Sequence, residues 1–168
     1  MKTKTGAAEN DANQSGSLKP SENRILVVDD DSSVRELMAR VLAGEGYMVS
    51  AAADGTAALE IAAATKIDLV LLDLNLPGES GWDIFERLTA ANPLLAVIII
   101  TARSNQLFTA LGTGVGALLE KPLHFPKLLQ TIRQLLAEPA ELRRARMAGE
   151  PAKFHYLHAQ RKEQKGKK

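Results

Sequence analysis

Acids, a hydroxyl and an amine close the apolar runs of this sequence. Asp29 and Asp30 follow "ILVV", Asp73 ends "DLVLLD", Thr101 ends "AVIIIT", and Lys121 follows "GALLE". A carboxylate is costly to bury unless something pairs with it. Two like charges about 4 Å apart repel by roughly 4 kcal/mol at an effective dielectric of about 20. Converging acids therefore shift their protonation or recruit a cation. The donors at these positions are all oxygens, with no Cys or His among them, which favours a hard ion. Mg²⁺ suits a site with few carboxylates and several waters, and it brings phosphate with it. Lys121 could then hold one phosphate oxygen and Thr101 could donate to another. Asp73 lies between the acidic pair and the Thr101/Lys121 pair if the strands run in the order 2-1-3-4-5. Carboxylates form aspartyl phosphates, so Asp73 is the natural nucleophile.

These positions converge only if particular elements carry them. The runs "RILVVDD", "YMVSAAA", "DLVLLD", "LLAVIIIT" and "GALLEKP" read as five strands. Between and after them lie helical stretches. Val34, Leu37, Met38, Val41 and Leu42 fall at helical spacing in the first, which Gly44 and Gly46 stop. One of Asp31 and Ser32 caps that helix, and Ser80 caps the third. Trp82 and Phe85 read as core residues of the third helix. Strands without alternation are buried on both faces, as in a parallel sheet covered by helices. Right-handed crossovers make this an α/β, doubly wound, five-stranded parallel sheet. The strand ends then share one edge, where such sheets bind ligands.

Composition bounds the rest. The sequence has no Cys, so disulfides, thiolate catalysis and cysteine zinc sites are excluded. No apolar run approaches the roughly 18 residues of a membrane helix, and residues 1–22 lack the apolar core of a secretory signal. A cytoplasmic protein with no membrane partner is expected. Residues 1–22 are small and polar, and read as a disordered extension. Residues 24–138 hold 9 basic and 14 acidic residues, whereas residues 139–168 hold 9 basic and 3 acidic. An acidic body at 23–138 thus carries a basic tail at 139–168.

In order, "ILVVDD", "LLDLNLPGESG", "IIITA" and "EKP" resemble the receiver domain of two-component response regulators, of the chemotaxis-regulator type, over residues 23–138. The resemblance implies a flavodoxin-like fold and phosphoryl transfer from a histidine kinase or histidine phosphotransfer protein to Asp73. It implies Mg²⁺ held by Asp30, Asp73 and the main-chain carbonyl of Asn75, with Asp29 helping through water. Lys121 would pair with the phosphoryl group, Thr101 would swing toward it, and Ala102 would border it. Family members usually carry Tyr or Phe three residues before that Lys; here the residue is Leu118.

The resemblance further implies a phosphoprotein that self-phosphorylates and slowly self-dephosphorylates, without being an enzyme in its own right. Lacking a recognisable output domain, it is expected to act alone or in a phosphorelay, as a monomer or weak dimer. A phosphohydrolase would need a second acid two residues after the nucleophile, where Asn75 stands. The tail offers another output. Its basic residues, with Phe154 and Tyr156 among them, fit attachment to nucleic acid. His155 and His158 would share a metal if the tail were helical there. The glycines of "LGTGVGA" mark residues 104–118 as a region expected to move.

Overall fold

The computed structural model describes residues 22–150 and 152–159. The expected N-terminal extension lies outside them, apart from Glu22. The elements alternate as the sequence predicts: β1 (Arg24–Val28), α1 (Ser32–Gly44), β2 (Met48–Ala52), α2 (Gly55–Ala64), β3 (Leu69–Asp73), α3 (Gly81–Ala91), β4 (Ala96–Thr101), a 3₁₀ turn (Ser104–Gln106), α4 (Leu107–Thr113), β5 (Ala117–Glu120) and α5 (Phe125–Leu136).

All strands are parallel, in the expected order β2-β1-β3-β4-β5. The alternation of side chains across the pleat divides the core into two layers. Leu26, Val28, Val70, Leu72, Val97, Ile99 and Leu118 face Ala58, Ile84, Phe85, Leu88 and Ala110 of α2, α3 and α4. Ile25, Val27, Leu69, Leu71, Ile98, Ile100 and Leu119 face Met38, Leu42, Leu128, Ile132 and Leu135 of α1 and α5. β3 and β4 are buried along their whole length, as apolar runs without alternation require.

Local chemistry sets the helix starts. Asp31 caps α1 by accepting from the Ser33 and Val34 amides, and Ser80 caps α3 by accepting from the Trp82 amide. Phe85 is core, as expected. Trp82 is only half-buried; its indole Nε1 donates to Gln106 Oε1 at 2.9 Å and ties α3 to the 3₁₀ turn.

The tail departs from expectation. Residues 140–150 and 152–159 do not trail as an extension but hold a helix, α6 (Ala140–Met147), and a sixth strand, β6 (His155–Leu157), which pairs parallel with β5. The sheet therefore has six strands rather than five. β6 extends both core layers: Phe154 and Tyr156 pack against one, Leu157 against the other. His155 lies on β6, whereas His158 lies just past its end, so the two are not on a helix. His155 and His158 therefore do not form the helical pair that metal sharing would need.

Candidate functional site

Parallel pairing brings the C-terminal ends of β1, β3, β4 and β5 to one rim. Asp29 lies just past β1, Asp73 ends β3, Thr101 ends β4 and Lys121 follows β5. Asp29, Asp73 and Thr101 are buried, whereas Asp30 is exposed. One carboxylate oxygen from each of Asp29, Asp30 and Asp73 lies within 4.8 Å of the others. The adjacent Asp29 and Asp30 thus meet the distant Asp73.

Lys121 holds the cluster together. Its Nζ donates to Asp73 Oδ2 at 2.7 Å and to Asp29 Oδ2 at 3.0 Å. Main-chain amides take the other oxygens: Asp31 N–H donates to Asp29 Oδ1 at 2.9 Å, and Asn75 N–H to Asp73 Oδ1 at 2.8 Å. Burial pushes the Asp29 carboxyl above its usual range, and Lys121 and the Asp31 amide only partly offset this. Burial also works against the Lys121 ammonium. The hydrogen bonds and charges of Asp73 and Asp29 together outweigh it and hold Lys121 above its ordinary value. Each group favours the charged form of the other.

Thr101 is fully buried. Its Oγ1 accepts from the Arg103 amide at 3.0 Å, and its carbonyl accepts from the Lys121 amide at 2.8 Å. Ala102 follows at the exposed rim. The Lys121–Pro122 peptide is cis. Beneath the cluster, Gly81 lets α3 approach β3. A Cβ there would stand 2.5 Å from Leu74 Cα and 2.8 Å from the Asp73 carbonyl oxygen. The backbone under the acid is thus locked by a residue without a side chain.

Two arginines join the site without having been singled out in the sequence. Arg35 Nη1 donates to the Asp29 carbonyl at 2.7 Å and the Asp30 carbonyl at 3.3 Å, fixing the loop that carries both acids. Arg103 Nη2 lies 3.5 Å from Asn75 Oδ1 across the rim. Arg35's place in the first turns of the helix that follows "DDD" was the available signal.

The set is all oxygen, apart from Lys121, and this chemistry fits a hard divalent cation. Asp29, Asp30 and Asp73 are the residues that would hold such a cation.

The tail meets the same end of the sheet. Glu120, the residue before Lys121, pairs in register with Thr101. Its carboxylate accepts from Tyr156 Oη at 2.5 Å and from the Ala159 amide at 3.2 Å. The Tyr156 bond holds Glu120 below its usual carboxylate range and pushes the Tyr156 phenol up to about 12. Arg146 forks onto both oxygens of Glu138, at 2.5 and 2.8 Å, and its Nε donates to the Gly114 carbonyl at 3.0 Å. Arg143 donates to the Leu94, Leu135 and Leu136 carbonyls. Two of the tail's arginines are thus engaged inside the fold.

Comparison with known proteins gives a consistent result. A family model of the response regulator receiver domain matches residues 25–133. The chain is 39% identical over 125 residues to the DNA-binding response regulator MtrA of Mycobacterium tuberculosis H37Rv, covering 71% of this chain and 54% of that protein. It is 38% identical over 115 residues to the response regulator MprA of Mycobacterium sp. strain KMS, covering 67% of this chain and 50% of that protein. The chain spans about half the length of these relatives. Among solved structures, a CheY-like receiver domain protein of Methanospirillum hungatei superposes with a TM-score of 0.66 at 30% identity, covering 69% of this chain and 94% of that one. TrrA of Thermotoga maritima, solved with Mg²⁺ and BeF, gives 0.63 at 31%, covering 67% and 98%. Among the described residues, no helix is long and apolar enough to cross a membrane.

Proposed function

This chain belongs to the response regulator receiver family, and from that premise we propose that Asp73 accepts a phosphoryl group from the phosphohistidine of a histidine kinase or histidine phosphotransfer protein. The observation that carries the reading is the Lys121 amine bridging Asp73 and Asp29 at 2.7 and 3.0 Å, beside a third acid. An Asp73 oxygen attacks phosphorus, the P–N bond breaks as the P–O bond forms, and the freed imidazole nitrogen takes up a proton. Such transfer depends on positioning and charge neutralisation more than on covalent help. The Asn75 amide and Lys121 orient the Asp73 carboxylate. Lys121 then turns to a phosphoryl oxygen, and the Thr101 hydroxyl donates to another.

Asp29, Asp30 and Asp73, with the Asn75 carbonyl, are the residues that would hold Mg²⁺, which when bound offsets charge on the transferred group. Ala102, at the exposed rim, leaves room beside that group. The phosphorylated carboxylate carries about −1.5 to −2 of charge, enough to bias a surface between two states.

We assign the receiver unit to residues 23–138, with 139–159 as a folded appendage. The tail offers nucleic acid less than its composition suggested, because Arg143 and Arg146 serve the fold. Incubation with acetyl phosphate and Mg²⁺ tests the assignment. Intact mass should rise by one phosphate in the wild type and stay unchanged in Asp73→Ala. An equal rise in both would move the acceptor elsewhere.

A further inference from the structure

The tail has a firm root and a light tip. α6 is bolted by the Arg146–Glu138 pair, whose side chains are both 9% exposed, and by the three carbonyls that Arg143 reaches. β6 is three residues long, half-buried throughout, and reached through Gly149, whose φ of +77° makes the turn. The side-chain hold on its tip converges on one group, the Glu120 carboxylate. Tyr156 Oη and the Ala159 amide donate to it, and His158 Nδ1 stands 4.0 Å away.

That group stands at the chemical rim. Glu120 precedes Lys121 in sequence and pairs in register with Thr101. Thr101, Glu120 and Tyr156 also lie on the α4 side of the sheet. Ile99 and Leu118, two residues earlier on β4 and β5, point there, and Tyr156 is in register with Leu118.

We infer that β6 is a latch whose catch, the Glu120–Tyr156 contact, is released when charge builds up on Asp73. The inference rests on the phosphoacceptor reading above. Phosphorylation adds negative charge on β3, two strands from the mostly buried Glu120 carboxylate, draws Lys121 toward the phosphoryl oxygens, and gives the Thr101 hydroxyl a new acceptor. Each change acts on the β4–β5 end that holds Glu120. A carboxylate under added negative potential gains by turning toward solvent, and in turning it lets go of Tyr156 and Ala159. β6 then leaves, β5 is uncovered, and α6 stays in place. By linkage, what loosens the latch must also favour the charged state.

Hydrogen exchange of the full chain, with and without beryllofluoride and Mg²⁺ as the phosphoryl mimic, tests this. The amides of His155, which donates to the Gly116 carbonyl, and of Leu157, which faces β5 in the same way, should exchange at least about tenfold faster with the mimic, while 140–147 is unchanged. Tyr156→Phe should exchange fast in β6 under both conditions. It should also bind the mimic about fivefold more tightly, at the lower end of usual coupling strengths. Protection around Asp73 with unchanged or slower exchange in β6 would overturn the latch alone. No protection around Asp73 and no acetyl-phosphate adduct would overturn the phosphoacceptor reading and the latch with it.

Discussion

The two sides of the sheet solve the edge problem differently. β2 ends the sheet on one side and is only half-buried, with Met48 48% exposed. Its residues tolerate water, and among the described residues it remains an open edge. β5 is the opposite. Ala117 and Leu118 are fully buried and Leu119 is 2% exposed. An apolar strand left as an edge invites pairing with other chains. Here the chain's own residues 155–157 cover it. The difference teaches that the tail completes the fold on the side where the sheet is too apolar to stop.

The sharpest way to break this contrast is to remove the root of the cover. Arg146→Ala leaves Glu138 buried without its fork and frees α6 from Gly114. Breaking a buried pair by removing one partner costs about 3–5 kcal/mol, and the value expected here lies near the lower end. Urea unfolding should show it as a lower midpoint with an unchanged slope. Adding Glu138→Gln should recover part of the loss, since the buried carboxylate would otherwise keep only Arg143, whose Nε lies 3.7 Å from its Oε2. A neutral Arg146→Ala would mean that β5 does not need its cover.

The same contrast explains what was legible in the sequence. Five strands and the rim residues could be read from runs of apolar residues ended by polar ones, whereas the strand order came with the receiver resemblance. Asp29, Asp73, Thr101 and Lys121 all stand at such ends. β6 could not be read that way, because three residues carry no period. Phe154 and Tyr156 suggested base stacking by type alone, and only the apolar β5 edge at Leu118 lets them pack, half-buried, against the core. α6 is held by Arg143 and Arg146 reaching carbonyls and Glu138, partners that exist only once the body has folded. Leu118 lacks the ring usual in the family. In the fold, the ring of Tyr156 lies on the next strand in register with it, a relation the chain order hides.

A second, smaller effect sharpens the comparison through pH. Tyr156 is raised from 10.0 to about 12, so the folded state favours its protonated form. Its contribution is fully present below pH 10 and is lost as pH rises through about 12. Glu120 is lowered from 4.5, so its contribution is present above that value and is lost as pH falls through the folded value. Near neutrality Tyr156→Phe should therefore be less stable than the wild type by about 1 kcal/mol, since the hydrogen bond from Tyr156 Oη to the Glu120 carboxylate is removed. The gap should close in both directions, measured as the difference in unfolding free energy between the two proteins. A gap independent of pH would put the loss in packing rather than in the bond.

The smallest effect belongs to the open edge. Met48 lies beside Arg24, whose Nη2 is 3.7 Å from its sulfur. Met48→Lys removes an exposed apolar group and adds the kind of charge that guards natural edges against pairing. It also places a like charge near Arg24, so the two consequences oppose each other. Away from buried features such changes stay within about 0.5 kcal/mol. A slight loss is expected at low ionic strength, and salt should erase it, because charges at an exposed edge are screened. Thermal unfolding at two salt concentrations measures this directly. A large, salt-independent loss would show β2 to be as dependent on apolar cover as β5, and the two edges would no longer differ in kind.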